Sequence, residues 1–251
     1  MNQAVIFDIG QTLVEYKKPL NWSQLYRPAL EQVAVDCGYD LSEEDYLCAC
    51  TVLSKYNTRR HPRKYEVSST VIFTELLREI HRPATDIERV KRSFYTYFKN
   101  DAFIFPEVEG TLKELASRGI RLGTLSDVAY GMDNEYALGD LSDILNYIEY
   151  PYTSNDSGYR KPCVEGLLLL AGKMGVDISK VIFVGDEEKD ILCAKNAGAY
   201  AVLINREKTD QQYGQDAEIH SLDELLDLFG WRQRRSIDIL REAGHLMRLI
   251  P

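Results

Sequence analysis

The sequence is poor in the residues that build disulfide frameworks and zinc centres. Its five cysteines are an odd number and include no Cys-x-x-Cys pair, so a closed disulfide framework is not expected. Its four histidines are scattered along the chain, which argues against a zinc site. Free thiols are typical of a reducing compartment, so we expect a cytoplasmic protein.

Long apolar runs and an excess of positive charge are also missing. No apolar stretch approaches the ~20 residues that span a bilayer, so a membrane span is not expected. At the N-terminus no basic segment precedes a long apolar stretch, so a signal peptide is not expected. The net charge of −9 disfavours nucleic acid as a partner. A small anionic substrate remains compatible with this charge if a few cations gather in one pocket. We expect a monomer or a homodimer.

Alternating strand and helix patterns are present at the N-terminus and again from about residue 101. Short apolar runs predict strands over Ala4–Phe7, Ile120–Asp127, Val181–Asp186 and Ala199–Ile204. Apolar residues three or four apart predict helices over Pro106–Gly119, Val164–Gly175 and Glu188–Gly198. Continuous apolar strands separated by helices predict an α/β fold with a Rossmann-like parallel sheet covered on both faces.

Residues 16–100 interrupt this pattern with four helical segments. Ser23 is expected to cap the first segment, and Ser42 with Asp45 forms a predicted capping box at the second. We therefore predict a core made of residues 1–15 and 101–230, with a helical cap inserted at 16–100. Residues 231–251 form a predicted helical extension that is rich in arginine: Arg232, Arg234, Arg235, Arg241 and Arg248.

Three of the predicted strands end in polar residues. Asp8 follows the first strand, Ser126 and Asp127 end the second, and Asp186 ends the third. In open α/β sheets, ligands bind outside the carboxyl ends of the strands. We therefore expect these side chains to share one site.

The residue types in this set suit phosphoryl transfer, which needs a nucleophile, charge neutralisation and in-line positioning. A carboxylate such as Asp8 can attack phosphorus and form an aspartyl-phosphate. Asp8 and Asp186 offer oxygen ligands of the kind that Mg²⁺ prefers. Lys161 supplies a point cation, and Asp190 lies one helical turn beyond Asp186, where it suits orientation of the metal waters.

Four motifs occur in a fixed order: "FDIGQT", "TLSD", "GYRKP" and "GDEEKD". In this order and spacing the chain resembles the haloacid dehalogenase superfamily from residue 4 to about 205, and the helical insertion is similar to that family's small helical cap. The resemblance implies an Mg²⁺-dependent phosphatase that acts on a small phosphorylated metabolite. It implies Asp8 and Lys161 as catalytic residues, a phosphate site at Ser126, Asp127 and Lys161, and a metal site at Asp8, the Gly10 backbone, Asp186 and Asp190.

Gly10 departs from the family pattern, since many phosphatases of the family carry an acid/base aspartate at that position. A positioned general acid contributes roughly 10²- to 10⁴-fold to the rate. Three interpretations stay open: Glu15 or a cap residue supplies the proton, the substrate has a good leaving group such as an acyl or aryl phosphate, or the protein binds a phosphorylated ligand without turnover. The glycine could equally serve only the backbone conformation of the turn.

Two further enzyme classes remain as alternatives. A haloacid-dehalogenase-like hydrolase would use the same nucleophile without a metal, which the acidic "GDEEKD" motif disfavours. A phosphonatase-like hydrolase would need a Schiff-base lysine in the cap, for which the candidates are Lys17, Lys18, Lys55 and Lys64. A non-catalytic regulatory binder is the third alternative.

A local cluster of cations stands out in the predicted cap. The stretch "NTRRHPRKY" contains Arg59, Arg60 and Arg63 in an expected inter-helix loop. Arginine can bind an anionic group bidentately, so these three are candidate substrate ligands. A solvated linker is the alternative.

Overall fold

A computed structural model describes residues 3–16, 22–99 and 102–228. The central sheet has six parallel strands: β1 (Ala4–Phe7), β4 (Arg121–Ser126), β5 (Tyr150–Thr153), β6 (Val181–Gly185), β7 (Tyr200–Ile204) and β8 (Ala217–Ile219). Across the sheet they lie in the order β5-β4-β1-β6-β7-β8. This arrangement confirms the predicted α/β class with a parallel sheet.

Helices cover both faces of this sheet because alternate side chains of each strand point to opposite sides. Val5 and Phe7 of β1 pack in one core cluster with helix α5 (Val108–Ser117). Ile6 packs in another with helices α8 (Glu165–Lys173) and α9 (Glu188–Ala197). A strand that is apolar at every position, as β1 is, suits this double burial.

The insertion folds as a helical bundle, and its apolar core also includes Val128, Tyr130, Met132 and Ala137 from the segment after β4. Its helices are α1 (Tyr26–Cys37), α2 (Glu43–Tyr56), α3 (Ser69–Glu79) and α4 (Ile87–Lys99). The capping box of Ser42 and Asp45 is confirmed at the start of α2. The prediction for Ser23 is wrong: a 3-10 turn spans Trp22–Gln24, and α1 starts after Leu25, which makes no side-chain cap.

Several short elements were not predicted from the sequence. Strands β2 (Val14–Tyr16) and β3 (Ala102–Ile104) form an antiparallel pair at the two ends of the insertion. β5 contains a proline, and β8 has only three residues, so neither shows a clear apolar run. The short helices α6 (Asn134–Ala137) and α7 (Ser154–Ser157) follow β4 and β5.

The arginine-rich extension predicted for residues 231–251 lies outside the described residues. Among the helices of residues 3–16, 22–99 and 102–228, none is long and apolar enough to cross a membrane.

Candidate active site

The three strands that carry polar residues at their ends are neighbours in the sheet. β1 lies between β4 and β6, with Phe7 in register with Thr124 on one side and Val184 on the other. Asp8 continues this alignment, since its backbone N–H donates to the Val184 carbonyl at 2.9 Å. Asp8, Ser126 and Asp186 therefore stand at one edge of the sheet, as the polar strand ends led us to expect.

Lys161 joins this edge from the loop after α7. Its Nζ lies 2.5 Å from Oδ1 of Asp8 and 2.6 Å from Oδ1 of Asp190. Burial alone would lower the pKa of the Lys161 ammonium, but the charges of Asp190 and Asp8 outweigh it and hold the pKa well above its usual value. The side chain is therefore a fixed cation between two carboxylates.

Carboxylate oxygens of Asp8, Asp186 and Asp190 lie within 4.8 Å of one another. Burial raises the pKa of Asp186 to about 8, and the charges of Asp8 and Asp190 add to the rise. Burial also raises the pKa of Asp190 to about 6, against the opposing charge of Lys161. Three acids and one ammonium leave an excess of negative charge, so this donor set fits a hard divalent cation such as Mg²⁺.

Asp190 is held against the end of β6 by close packing. It is fully buried, and its Oδ2 accepts a hydrogen bond from the backbone N–H of Glu187 at 3.0 Å. A β-carbon added to Gly185 would lie 2.5 Å from atoms of the Asp190 side chain. Residue 185 therefore has to be glycine for Asp190 to reach this position.

Ser126 is the last residue of β4 and Asp127 follows it beside the cluster, and both line the same cavity. Oδ1 of Asp127 accepts a hydrogen bond from the backbone N–H of Lys161 at 3.0 Å. Its Oδ2 lies 3.7 Å from Nζ of Lys189. A carboxylate cannot donate to a phosphate oxygen, so the Asp127 side chain anchors the Lys161 loop, and only its backbone remains suited to phosphate.

Gly10 lies next to the ring of Tyr16. A β-carbon at Gly10 would stand 3.4 Å from Cε2 of Tyr16, in van der Waals contact with the ring edge. The Tyr16 hydroxyl donates to Oδ2 of Asp140 at 2.9 Å. Burial raises the pKa of Tyr16 well above its usual value, and the charges of Asp140 and Asp8 contribute. The phenol is therefore neutral and held in place.

A cavity of about 690 Å³ opens above the acidic cluster between the bundle and the sheet edge. Asp186, Ser126, Lys161 and Gly10 line its sheet end. The helical insertion contributes Trp22, Tyr56, Asn57, Thr58, Arg59, Pro62, Arg63, Lys64 and Phe98. The bundle therefore forms one wall of the cavity, as a cap does.

The structure separates the three candidate arginines of the insertion. Arg59 lines the cavity and pairs with Glu187 at 2.9 Å, and Arg63 lines it and pairs with Glu66 at 3.2 Å. Arg60 is exposed, donates to the Ser54 hydroxyl and is not among the lining residues. Its selection as a substrate ligand therefore loses support, because the loop turns its side chain away.

Lys64, the fourth cation of the "NTRRHPRKY" stretch, also lines the cavity, although it was not among the three residues selected as substrate ligands. It is exposed, and of the basic residues described in the cavity wall it alone has no ion pair. The sequence of the loop does not show which of its basic side chains form ion pairs in the folded protein.

A buried ion pair between insertion and core was also missed. Glu66 accepts from Arg160 and, at 2.6 Å, from the Ser154 hydroxyl. The backbone N–H of Arg160 donates to the Lys64 carbonyl at 2.9 Å. These contacts hold the insertion loop against the segment that carries Lys161. Their partners are far apart in the chain, so no local pattern predicts them.

Comparison with known proteins agrees with this geometry. Residues 3–198 match the family described as haloacid dehalogenase-like hydrolase. The chain is 27% identical over 219 residues to the glyceraldehyde 3-phosphate phosphatase of Methanothermobacter thermautotrophicus, which covers 84% of this chain and 89% of that protein. It is 30% identical over 160 residues to the phosphoglycolate phosphatase of Escherichia coli, which covers 59% of this chain and 62% of that protein.

A similar fold occurs in the 2-haloacid dehalogenase of Pseudomonas syringae pv. tomato, with a TM-score of 0.66 and 24% identity over 92% of this chain and 99% of that one. At this identity the likeness concerns the fold. The family match covers both the sheet edge with its acids and the loop with Lys161. The chain belongs to the haloacid dehalogenase-like hydrolases.

Proposed function

We propose that this hydrolase is an Mg²⁺-dependent phosphatase that acts on a small phosphorylated metabolite through an aspartyl-phosphate. The observation that carries the proposal is the contact set at the sheet edge, where Lys161 bridges Asp8 and Asp190 beside Asp186. The phosphatase names of the relatives in Methanothermobacter thermautotrophicus and Escherichia coli support the same class of substrate.

Asp8, Asp186 and Asp190 are the residues that would hold Mg²⁺, together with the Gly10 backbone that the family resemblance implies. When bound, the ion supplies charge neutralisation for the phosphoryl oxygens. Asp190 is fully buried and already contacts Lys161 and the Glu187 N–H. It is therefore suited to orienting the metal site from the protein interior.

The chemistry of the chain's own residues follows from their positions. An Asp8 carboxylate oxygen attacks phosphorus, the bond from phosphorus to the ester oxygen breaks, and the alcohol leaves as its anion, which then takes a proton from solvent water. Lys161 and the Ser126 hydroxyl hold the phosphoryl oxygens. Water then attacks phosphorus, which restores the Asp8 carboxylate and releases inorganic phosphate.

The alternatives have weaker support. A metal-free dehalogenase would not need three crowded acids, two of which have raised pKa values. For a phosphonatase, Lys17 and Lys18 lie outside the described residues, and Lys55 pairs with Glu75. Lys64 faces the cavity but is exposed, whereas a Schiff-base lysine is activated by desolvation. The cytoplasmic location stays a prediction.

The test is hydrolysis of acetyl phosphate and phenyl phosphate with and without Mg²⁺. We expect turnover that needs Mg²⁺ and falls at least 10³-fold in Asp8→Asn, because the nucleophile is removed with little change in shape. Binding of inorganic phosphate with no turnover of either ester would favour the regulatory binder. Turnover that persists in Asp8→Asn would contradict the proposed nucleophile.

A further inference from the structure

We propose that the substrate is a phosphate monoester of an aromatic hydroxyl, so that the leaving group is a phenolate. This inference rests on the proposed phosphatase function and names the substrate class of the same site. Two independent features carry it: the absence of a free acid around Asp8 within the described cavity wall, and an aromatic wall at the insertion side.

The first feature is the pair formed by Gly10 and Tyr16. Gly10 has no side chain, and the ring edge of Tyr16 lies in van der Waals contact with the place of a β-carbon, with Cε2 at 3.4 Å. The hydroxyl of the ring is committed to Asp140 at 2.9 Å. Residue 10 therefore offers no acid, and the side chain nearest to it is an aromatic ring.

Other acids in the described part of the wall do not replace it. The lining acids are Asp127, Asp186 and Glu187. Asp127 accepts from the Lys161 N–H, Glu187 is paired with Arg59 and Lys189, and Asp186 belongs to the acidic cluster. Glu15, a candidate proton donor from the sequence, is exposed and does not line the cavity.

A site in which no carboxylic acid of the described wall is free to protonate the leaving oxygen restricts its leaving groups. An alkoxide leaves from an alcohol that is about as weakly acidic as water, so its departure needs a proton donor nearby. A phenolate leaves from a hydroxyl with a pKa of about 10 and needs far less assistance. General acid catalysis contributes roughly 10²- to 10⁴-fold, and a phenyl ester can forgo most of that.

The second feature is the aromatic wall made by Trp22, Phe98 and Tyr130. The rings of Trp22 and Phe98 are stacked, with centroids 3.8 Å apart and planes 4° apart. Tyr130 follows at 5.6 Å from Trp22 in a similar orientation. All three line the cavity, with Met132 and Ala137 beside them.

An apolar and aromatic wall opposite a charged sheet edge matches a molecule with the same two halves. The phosphoryl group would lie at Asp8 and Lys161, and the ring of the leaving group would pack on the insertion side. A cavity of about 690 Å³ has room for an aromatic ring with substituents, and it is within the size range of sites that enclose such molecules. A short polar metabolite would make no apolar contacts with this wall.

The experiment compares three esters on the full-length enzyme with Mg²⁺. Phenyl phosphate has the ring and the acidic leaving group, benzyl phosphate has the ring but leaves as an alkoxide, and acetyl phosphate has an acidic leaving group without a ring. We expect kcat for phenyl phosphate to exceed that for benzyl phosphate at least 100-fold. We expect KM for both ring esters to lie at least fivefold below that for acetyl phosphate.

The variant Trp22→Leu tests the wall, with Phe103→Leu as the matched control, because Phe103 is an exposed aromatic residue outside the cavity lining. We expect Trp22→Leu to raise the ratio of KM for phenyl phosphate to KM for acetyl phosphate at least fivefold, and Phe103→Leu to leave it unchanged. Inhibition of the unaltered enzyme by phenylphosphonate and methylphosphonate gives the same comparison without a variant, and the phenyl compound should bind at least fivefold tighter.

Equal kcat for phenyl and benzyl phosphate, or equal inhibition by the two phosphonates, would overturn the assignment of an aromatic leaving group. In that case Mg²⁺-dependent hydrolysis of acetyl phosphate would show that the phosphatase proposal still stands. Failure to hydrolyse all three esters would overturn both proposals together.

Discussion

Gly185 and Asp190 pack so closely that a β-carbon on Gly185 would lie 2.5 Å from the Asp190 side chain. Gly185 is the last residue of β6, and Asp190 is fully buried on the first turn of α9. The space left by the missing side chain is what allows Asp190 to reach Lys161 at 2.6 Å.

Gly185→Ala should therefore displace Asp190 and weaken the acidic cluster. We expect Mg²⁺ affinity, measured by calorimetry, to fall about 10- to 100-fold, as for other residues that orient metal ligands. Overpacking should also cost about 1–3 kcal/mol of unfolding free energy. Gly172→Ala is the control, because a β-carbon there meets nothing on the exposed face of α8. An Mg²⁺ affinity in Gly185→Ala equal to that of Gly172→Ala would contradict the packing argument.

The stability of the metal-free protein should fall as pH rises from about 5 to about 8. Burial and like charge raise the pKa of Asp186 to about 8 from an ordinary value of 3.8, so the folded state binds a proton there that the unfolded state has lost. The free energy of unfolding decreases with pH wherever the folded state binds more protons. Chemical denaturation in EDTA at several pH values measures this decrease.

Two comparisons isolate the Asp186 contribution. Asp186→Asn has no carboxyl group to ionise at this position, so its free energy of unfolding should decrease less over the same pH range. Saturating Mg²⁺ stabilises the ionised cluster, so the free energy of unfolding of the unaltered protein should also decrease less when Mg²⁺ is present. If the free energy of unfolding of the metal-free unaltered protein falls no more steeply between pH 5 and 8 than that of Asp186→Asn, the Asp186 carboxyl group is ionised throughout and the prediction is wrong.

Gly10→Asp should increase hydrolysis of esters with poor leaving groups, and removal of the Tyr16 ring should increase the gain. The β-carbon of the new aspartate would lie 3.4 Å from Cε2 of Tyr16, so its carboxyl group would have to be placed beside the ring. We expect kcat/KM for benzyl phosphate to rise up to about 10²-fold in Gly10→Asp with Tyr16→Leu, and less in Gly10→Asp alone. Tyr16→Leu alone is the control. No gain in either variant, with phenyl phosphate turnover retained, would mean that residue 10 is not where an acid acts.

Lys64 should bind a second anionic group on the substrate. It lines the cavity without an ion pair, whereas nearby Arg60 donates to Ser54 and lies outside the lining. We expect Lys64→Ala to raise KM for 4-carboxyphenyl phosphate about tenfold, equivalent to about 1.4 kcal/mol, with little change for phenyl phosphate. Arg60→Ala, the matched loss of a loop cation, should change neither KM by more than about twofold. An equal rise in KM in the two variants would indicate that the summed positive charge of the loop attracts the substrate, with no specific contact from Lys64.

Much of the core could be predicted because its signals are local. The apolar strand Ala4–Phe7 and the helix periodicity of Val108–Ser117 are each contained in a few consecutive residues. A parallel sheet places the ends of neighbouring strands at one edge, so Asp8, Ser126 and Asp186 could be expected to stand together before any coordinates. The short strand β8 gave too few residues for such a pattern.

The alternation of the main core strands and helices along the chain, and the acids at the strand ends, could be read from the sequence because they depend on local hydrophobic periodicity. The surroundings of those acids could not. Tyr16 fills the space beside Gly10, Asp190 fits under Gly185, and Lys64 rather than Arg60 faces the cavity. Each of these depends on side-chain packing between separate segments, and packing has no signature in the local order of residues.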